Sequence, residues 1–156
     1  MTDSKTLGVG SNDPYLSGVT PDRPDMAHRA IEGRMVAVSA RSHDARGLSL
    51  IPQRTRCLRR YDIHELIVTD ESGQGSGDTV DRVAYLGFFE ITSGGLLIQG
   101  DELLIADQMI GSVIGFDETH LPNHLNIVVS AAQRESGRAS GLTLNDPVIF
   151  QPVWNN

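Results

Sequence analysis

The chain has 156 residues with 13 Lys+Arg against 20 Asp+Glu, a formal net charge of −7. That length fits one domain with a single core, and the acidic balance excludes sequence-independent binding to phosphate backbones, which takes a basic face. Cys57 is the only cysteine, which excludes an intramolecular disulfide and a thiolate metal cage, and no apolar run approaches the ~20 residues of a membrane helix. No nucleic-acid or membrane partner is therefore expected. The N-terminus Met1-Thr2-Asp3-Ser4 lacks the basic-then-apolar order of a secretory signal, so the expected location is the cytoplasm.

Residues 1–30 carry Pro14, Pro21, Pro24, Gly8, Gly10, Gly18 and repeated aspartates without sustained alternation. They read as an irregular arm, loose or packed through Tyr15-Leu16 and Met26-Ala27 on the body or on a neighbouring subunit of a homo-oligomer. Ala27 to Glu32 is the only helix candidate. From there the chain is a series of short β-like runs: Met35 to Ser39, Leu48 to Ile51, Arg54 to Arg60, Ile63 to Thr69, Val80 to Ile91, Leu96 to Ile98, Glu102 to Ala106, Ile110 to Phe116, Leu125 to Ser130 and Val148 to Val153. These runs are rich in Val, Ile and Leu and bounded by turn residues. The expected fold is all-β, a small antiparallel β-barrel over residues 31–156, since closure removes the exposed edges of a long meander. Glu71-Ser72-Gly73-Gln74-Gly75-Ser76-Gly77-Asp78 reads as a hairpin tip, because neither a P-loop nor a dinucleotide fingerprint context surrounds it.

An internal similarity supports the barrel. Gly95-Leu96-Leu97-Ile98 leads into Gly100-Asp101 and a strand, and Gly141-Leu142-Thr143-Leu144 leads into Asn145-Asp146 and a strand, with a partial copy at Gly47-Leu48-Ser49-Leu50. This resembles small barrels of the cradle-loop type, in which the Asp closes a tight turn by bonding backbone N–H groups. The resemblance covers roughly a fifth of the chain and implies a fold without an activity. Asp101 and Asp146 are accordingly expected to be turn-formers.

Chemistry is concentrated between Val113-Ile114 and Ile127-Val128-Val129, where Asp117, Glu118, Thr119, His120, Asn123, His124 and Asn126 share one connection broken by Pro122. Turns alone use residues such as Asp117, Asn123 and Asn126, but two histidines, two acids and two amides exceed what a turn requires. His120 and His124 are candidates for general acid and base, with Asp117 and Glu118 as orienters and His64 as a further catalytic group. Asn123 and Asn126 are candidate donors to an oxyanion. Pro122 argues against a helix presenting both imidazoles on one face. Arg54, Arg56 and Arg60 alternate onto one face and could clamp an anion, and His43 is the candidate from the polar group Arg41, His43 and Asp44. Cys57 is expected as a small buried hydrophobe. The expected function is cofactor-independent acid–base chemistry, an isomerisation, cyclisation or elimination, on a small anionic or carbonyl-bearing metabolite. The alternatives are a lyase or hydrolase with one divalent transition metal on His64, Glu65, His120 and His124, and a non-catalytic ligand-binding or assembly subunit.

Overall fold

The computed structural model describes residues 28–153. Twelve strands follow one another with no α-helix among the described residues: β1 (Ile31–Val38), β2 (Ser42–His43), β3 (Leu48–Ser49), β4 (Thr55–Leu58), β5 (Ile63–Thr69), β6 (Thr79–Val80), β7 (Val83–Ser93), β8 (Gly95–Ile98), β9 (Glu102–Ile105), β10 (Gln108–Asp117), β11 (Asn126–Ser130) and β12 (Pro147–Gln151). The protein is all-β, as the short β-branched runs imply. The helix expected from Ala27 to Glu32 is instead the start of β1 at Ile31 and Glu32, where Ile31 takes a place in the core. Propensity in so short a segment yields to the pairing of Ile31 with Phe150 and of Glu32 with Ser93.

The main sheet runs β1-β12-β9-β10-β11-β5-β7-β2, and β7 also pairs with β1, so seven strands form a closed circuit of pairings. Its ladders are antiparallel except one. β11 and β5 run parallel, with Asn126 opposite Glu65, which corrects the all-antiparallel expectation. Two small antiparallel pairs complete the structure, β3 with β6 and β4 with β8.

Alternation sorts the side chains of β5 and β7 into two apolar groups. Leu66, Val68, Ala84, Leu86, Phe89 and Ile91 join the main core, while Ile67, Val83 and Tyr85 pack with Leu48, Leu50 and Val80 beneath the β3–β6 pair. The change of phase between Tyr85 and Phe89 has a local cause. The register of β5 on β7 shifts between Leu66 opposite Gly87 and Ile67 opposite Tyr85. Gly87 there has φ +136°, and a Cβ on it would lie 2.0 Å from the carbonyl oxygen of Ala37. This bulge is open only to glycine. It leaves Tyr85 and Phe88 on the same side of β7.

The Asp turns behave as expected. Ile98 N–H donates to Asp101 Oδ2 at 2.9 Å, and Thr143 donates to Asp146 from both its N–H (2.8 Å) and its hydroxyl (2.9 Å). Of the expected arm, residues 1–27 lie outside the described residues. His28 and Arg29 are held on the body, His28 Nε2 lying 2.9 Å from Asp101 Oδ2 and Arg29 Nε donating to Gly94 O at 3.0 Å. Cys57 is exposed rather than buried, because it is Leu58 that β4 turns into the core.

Candidate functional site

The β10–β11 connection is tied at its base by Asp117. Buried and directly opposite Asn126 in the ladder, its carboxylate accepts from Asn126 Nδ2 (3.0 Å), Thr119 N–H (3.1 Å) and the Thr119 hydroxyl (2.9 Å). Asp117 and Asn126 therefore serve the loop's own geometry, and neither lines a cleft described below. Glu118 pairs with Arg56. Beyond them the chain makes a tight turn, with Leu121 joined to Pro122 by a cis peptide and with Asn123 N–H and His124 N–H both donating to His120 O. No helix forms, in keeping with Pro122. Even so, the turn stacks the rings of His120 and His124 with centroids 4.9 Å apart.

The far end of the loop is bonded to β5. Glu65 N–H donates to Leu125 O (3.0 Å), and Leu125 N–H donates to Nδ1 of His64 (3.0 Å). Since a backbone N–H only donates, His64 Nδ1 carries a lone pair and its neutral ring holds the proton on Nε2. Burial pushes the His64 pKa down, against an opposing pull from Asp62.

Alternation along β5 separates His64 from Glu65. Glu65 lines a cleft of about 530 Å³ on the outer side of β5 and β7. His64 lines a smaller polar cleft of about 220 Å³ with Arg56, Arg59, Asp62 and Asn123. His124 stands in the wall between the two. Its Nδ1 lies 2.7 Å from Asn123 Oδ1, so this nitrogen is the donor, and Nε2, buried and without a hydrogen-bond partner, faces Glu65 Oε1 at 3.9 Å. Burial and the neighbouring His120 lower the His124 pKa, whereas burial raises that of Glu65 against the pull of Arg41 and Arg46. Burial thus favours the neutral form of both the acid and the base.

The large cleft has a cationic end. Arg46 Nε donates to the Tyr85 hydroxyl at 2.9 Å, and the Arg41 guanidinium lies 5.9 Å from the Tyr85 ring centre. Among the described residues neither arginine makes an ion pair with a carboxylate. His43, from β2, packs edge-on to Tyr85 at 5.8 Å. At the other end Phe88 packs edge-on to His124 at 5.0 Å.

The candidates read from the sequence thus divide. His43, Glu65, His120 and His124 meet at the large cleft, while His64, Arg56 and Asn123 line the small one. Arg54 and Arg60 line neither. β4 ends at Leu58, so Arg60 lies beyond the strand and stacks on Tyr61 at 4.7 Å. Arg41, Arg46, Tyr85 and Phe88 were not among the candidates. Alternation would have placed Tyr85 opposite the core residues Ala84 and Leu86, and Arg41 belongs to the polar group that supplies only His43 as a candidate, but nothing local marks Arg46. Among the described residues no group of three His, Cys, Asp or Glu side chains gathers as a metal site.

Residues 25–151 match a family model described as a family of unknown function (DUF6917). No curated protein and no solved structure matches the chain.

Proposed function

The chain belongs to the family of unknown function DUF6917, and we propose from its own site that it is an enzyme of acid–base type acting on a small anionic metabolite in the large cleft. The observation that carries this reading is the approach of Glu65 Oε1 to within 3.9 Å of His124 Nε2, which is buried and without a hydrogen-bond partner among the described residues, in a cleft that also holds two guanidinium groups with no carboxylate ion pair among those residues. Arg41 and Arg46 hold the anionic group. Glu65, which lines the cleft, takes a proton from carbon and returns one to the developing enolate or to the adjacent carbon, while the buried Nε2 of His124, 3.9 Å from Oε1, accepts and gives back the carboxyl proton. Asn123 keeps the His124 proton on Nδ1 and leaves Nε2 as the base, and His120 stacks on that ring from the solvent side. Such steps make up an isomerisation, a cyclisation or an elimination and need no cofactor. In this reading the closed circuit of strand pairings is a small barrel, and the cleft lies on its outer wall instead of at its mouth.

The test is incubation of the full chain in deuterated water with a panel of small keto acids and enolisable carboxylates, followed by proton NMR. Loss of a carbon-bound proton signal, abolished in Glu65→Gln and in His124→Ala, supports the proposal. Saturable binding without exchange by any panel member would turn the reading to a ligand-binding protein.

A further inference from the structure

The walls of the large cleft restrict what the anion can be attached to. The cationic end and the proton-transfer end are separated along β7 by the step from Tyr85 to Phe88, three residues or roughly 10 Å of strand, somewhat less across the bulge. Between them β7 contributes Gly87, which has no side chain, and the adjoining lining comes from the short side chains of Ala37, Val38, Ser39 and Ala40. The ends are closed by rings: Tyr85 with His43 edge-on at 5.8 Å, and Phe88 with His124 edge-on at 5.0 Å. A cleft with aromatic rings at its ends and short side chains along its wall suits a flat body, because stacked and edge-to-face contacts reward planar π surface over puckered or branched chains. At the Tyr85 end the phenol oxygen accepts from Arg46, which leaves its O–H as a donor beside two guanidinium forks. This set of donors matches the two oxygens of a carboxylate.

We propose that the cleft takes a flat, conjugated or aromatic carboxylate, its carboxylate held between Arg41 and Arg46 and its reacting carbon about one ring's length away beside Glu65 and His124. The assignment rests on the acid–base reading for the identity of the reacting end, but its binding component stands apart from turnover.

Isothermal titration calorimetry on the full chain with non-reacting probes tests it. The probes are trans-cinnamate and 2-naphthoate as flat carboxylates, cyclohexanecarboxylate and hexanoate as non-planar ones, cinnamamide as the uncharged analogue, and phenyl phosphate. The flat carboxylates should bind about tenfold or more tightly than the non-planar pair, cinnamamide should lose about tenfold, and Arg41→Ala and Arg46→Ala should each lose a similar factor. Both arginines lie outside the apolar core, and an unchanged thermal midpoint will confirm that these variants fold. Phe88→Leu, which keeps apolar bulk but removes the ring, should erase most of the preference for flat probes. Equal affinity for planar and non-planar carboxylates would overturn the flat-body assignment, and equal or tighter binding of phenyl phosphate would overturn the carboxylate. Glu65→Gln separates this proposal from the functional one. If the variant binds cinnamate while no chain exchanges any substrate proton, the acid–base reading has failed and the ligand class survives. If exchange occurs on substrates without a flat body, the reverse holds.

Discussion

Replacing Asp117 by alanine tests whether this carboxylate holds the loop or orients a histidine. It is 1 % exposed and accepts three hydrogen bonds, from Asn126 Nδ2, Thr119 N–H and the Thr119 hydroxyl. Bonds to a charged acceptor contribute about 1.5–3 kcal/mol each but are not additive within one cluster. The alanine variant also strands Asn126, whose buried Oδ1 has no partner among the described residues and whose Nδ2 would lose the Asp117 acceptor, at about 1–3 kcal/mol for a buried polar group left unmade. Together these give a loss of about 3 kcal/mol, which for a chain of this length lowers the thermal midpoint by about 6–12 °C. Asp117→Asn keeps an oxygen for Thr119 N–H and Asn126 and can donate to the Thr119 hydroxyl, so it should cost about 1 kcal/mol. Thermal unfolding followed by circular dichroism, with urea titration for the free energy, reads both. An alanine midpoint within about 2 °C of wild type, or an asparagine variant as unstable as the alanine one, would refute the assignment of Asp117 to the loop.

Burial raises the Glu65 pKa, so the folded chain keeps a proton that the unfolded chain has released, and this group costs stability as pH rises through its folded pKa. Glu65→Gln removes that cost. The variant's midpoint should equal the wild type's near about pH 4 and exceed it at about pH 7.5, and a difference that does not change with pH contradicts the linkage. Gly87→Ala forces a Cβ to 2.0 Å from Ala37 O at φ +136°, so about 3 kcal/mol or more of stability should be lost, and a midpoint within about 2 °C of wild type would show that the bulge is not needed. His64 faces the small cleft and gives its Nδ1 to Leu125 N–H, so of the four candidate metal ligands only Glu65, His120 and His124 line the large one, and no group of three such side chains gathers there among the described residues. Plasma mass spectrometry of tag-free protein should then find no stoichiometric transition metal. About one ion per chain, lost in His120→Ala/His124→Ala, would transfer the account to metal-assisted lysis or hydrolysis.

The strands were legible because Val, Ile and Leu runs between turn residues mark half-buried segments whatever their partners. Their partners were not. The parallel pairing of β11 with β5 joins Asn126 to Glu65 across 61 positions, and the shift at Gly87 that brings Tyr85 and Phe88 to one side leaves no periodic trace. The histidine loop stood out by composition, and it does carry two members of the cleft. Yet Asp117 and Asn126, which contributed to that density, bond to each other at the base of the loop, where Asp117 also accepts from Thr119 N–H as short polar side chains do in local turns. Arg41 and Arg46 sit in a stretch whose only regular element is the two-residue β2, too short for alternation to assign a face. Of the arginines that did alternate, Arg56 lies at the small cleft and pairs with Glu118, Arg60 lies beyond the end of β4 on Tyr61, and Arg54, ahead of β4, lines neither cleft.

The central claim is that His124 presents an unprotonated Nε2 to Glu65 at neutral pH. Nitrogen-15 NMR of the histidine side chains, with His124→Gln for assignment, measures both tautomer and titration. The account predicts a neutral His124 ring with its proton on Nδ1 and a pKa below 6.5. A proton on Nε2, or a pKa at or above 6.5, would contradict it.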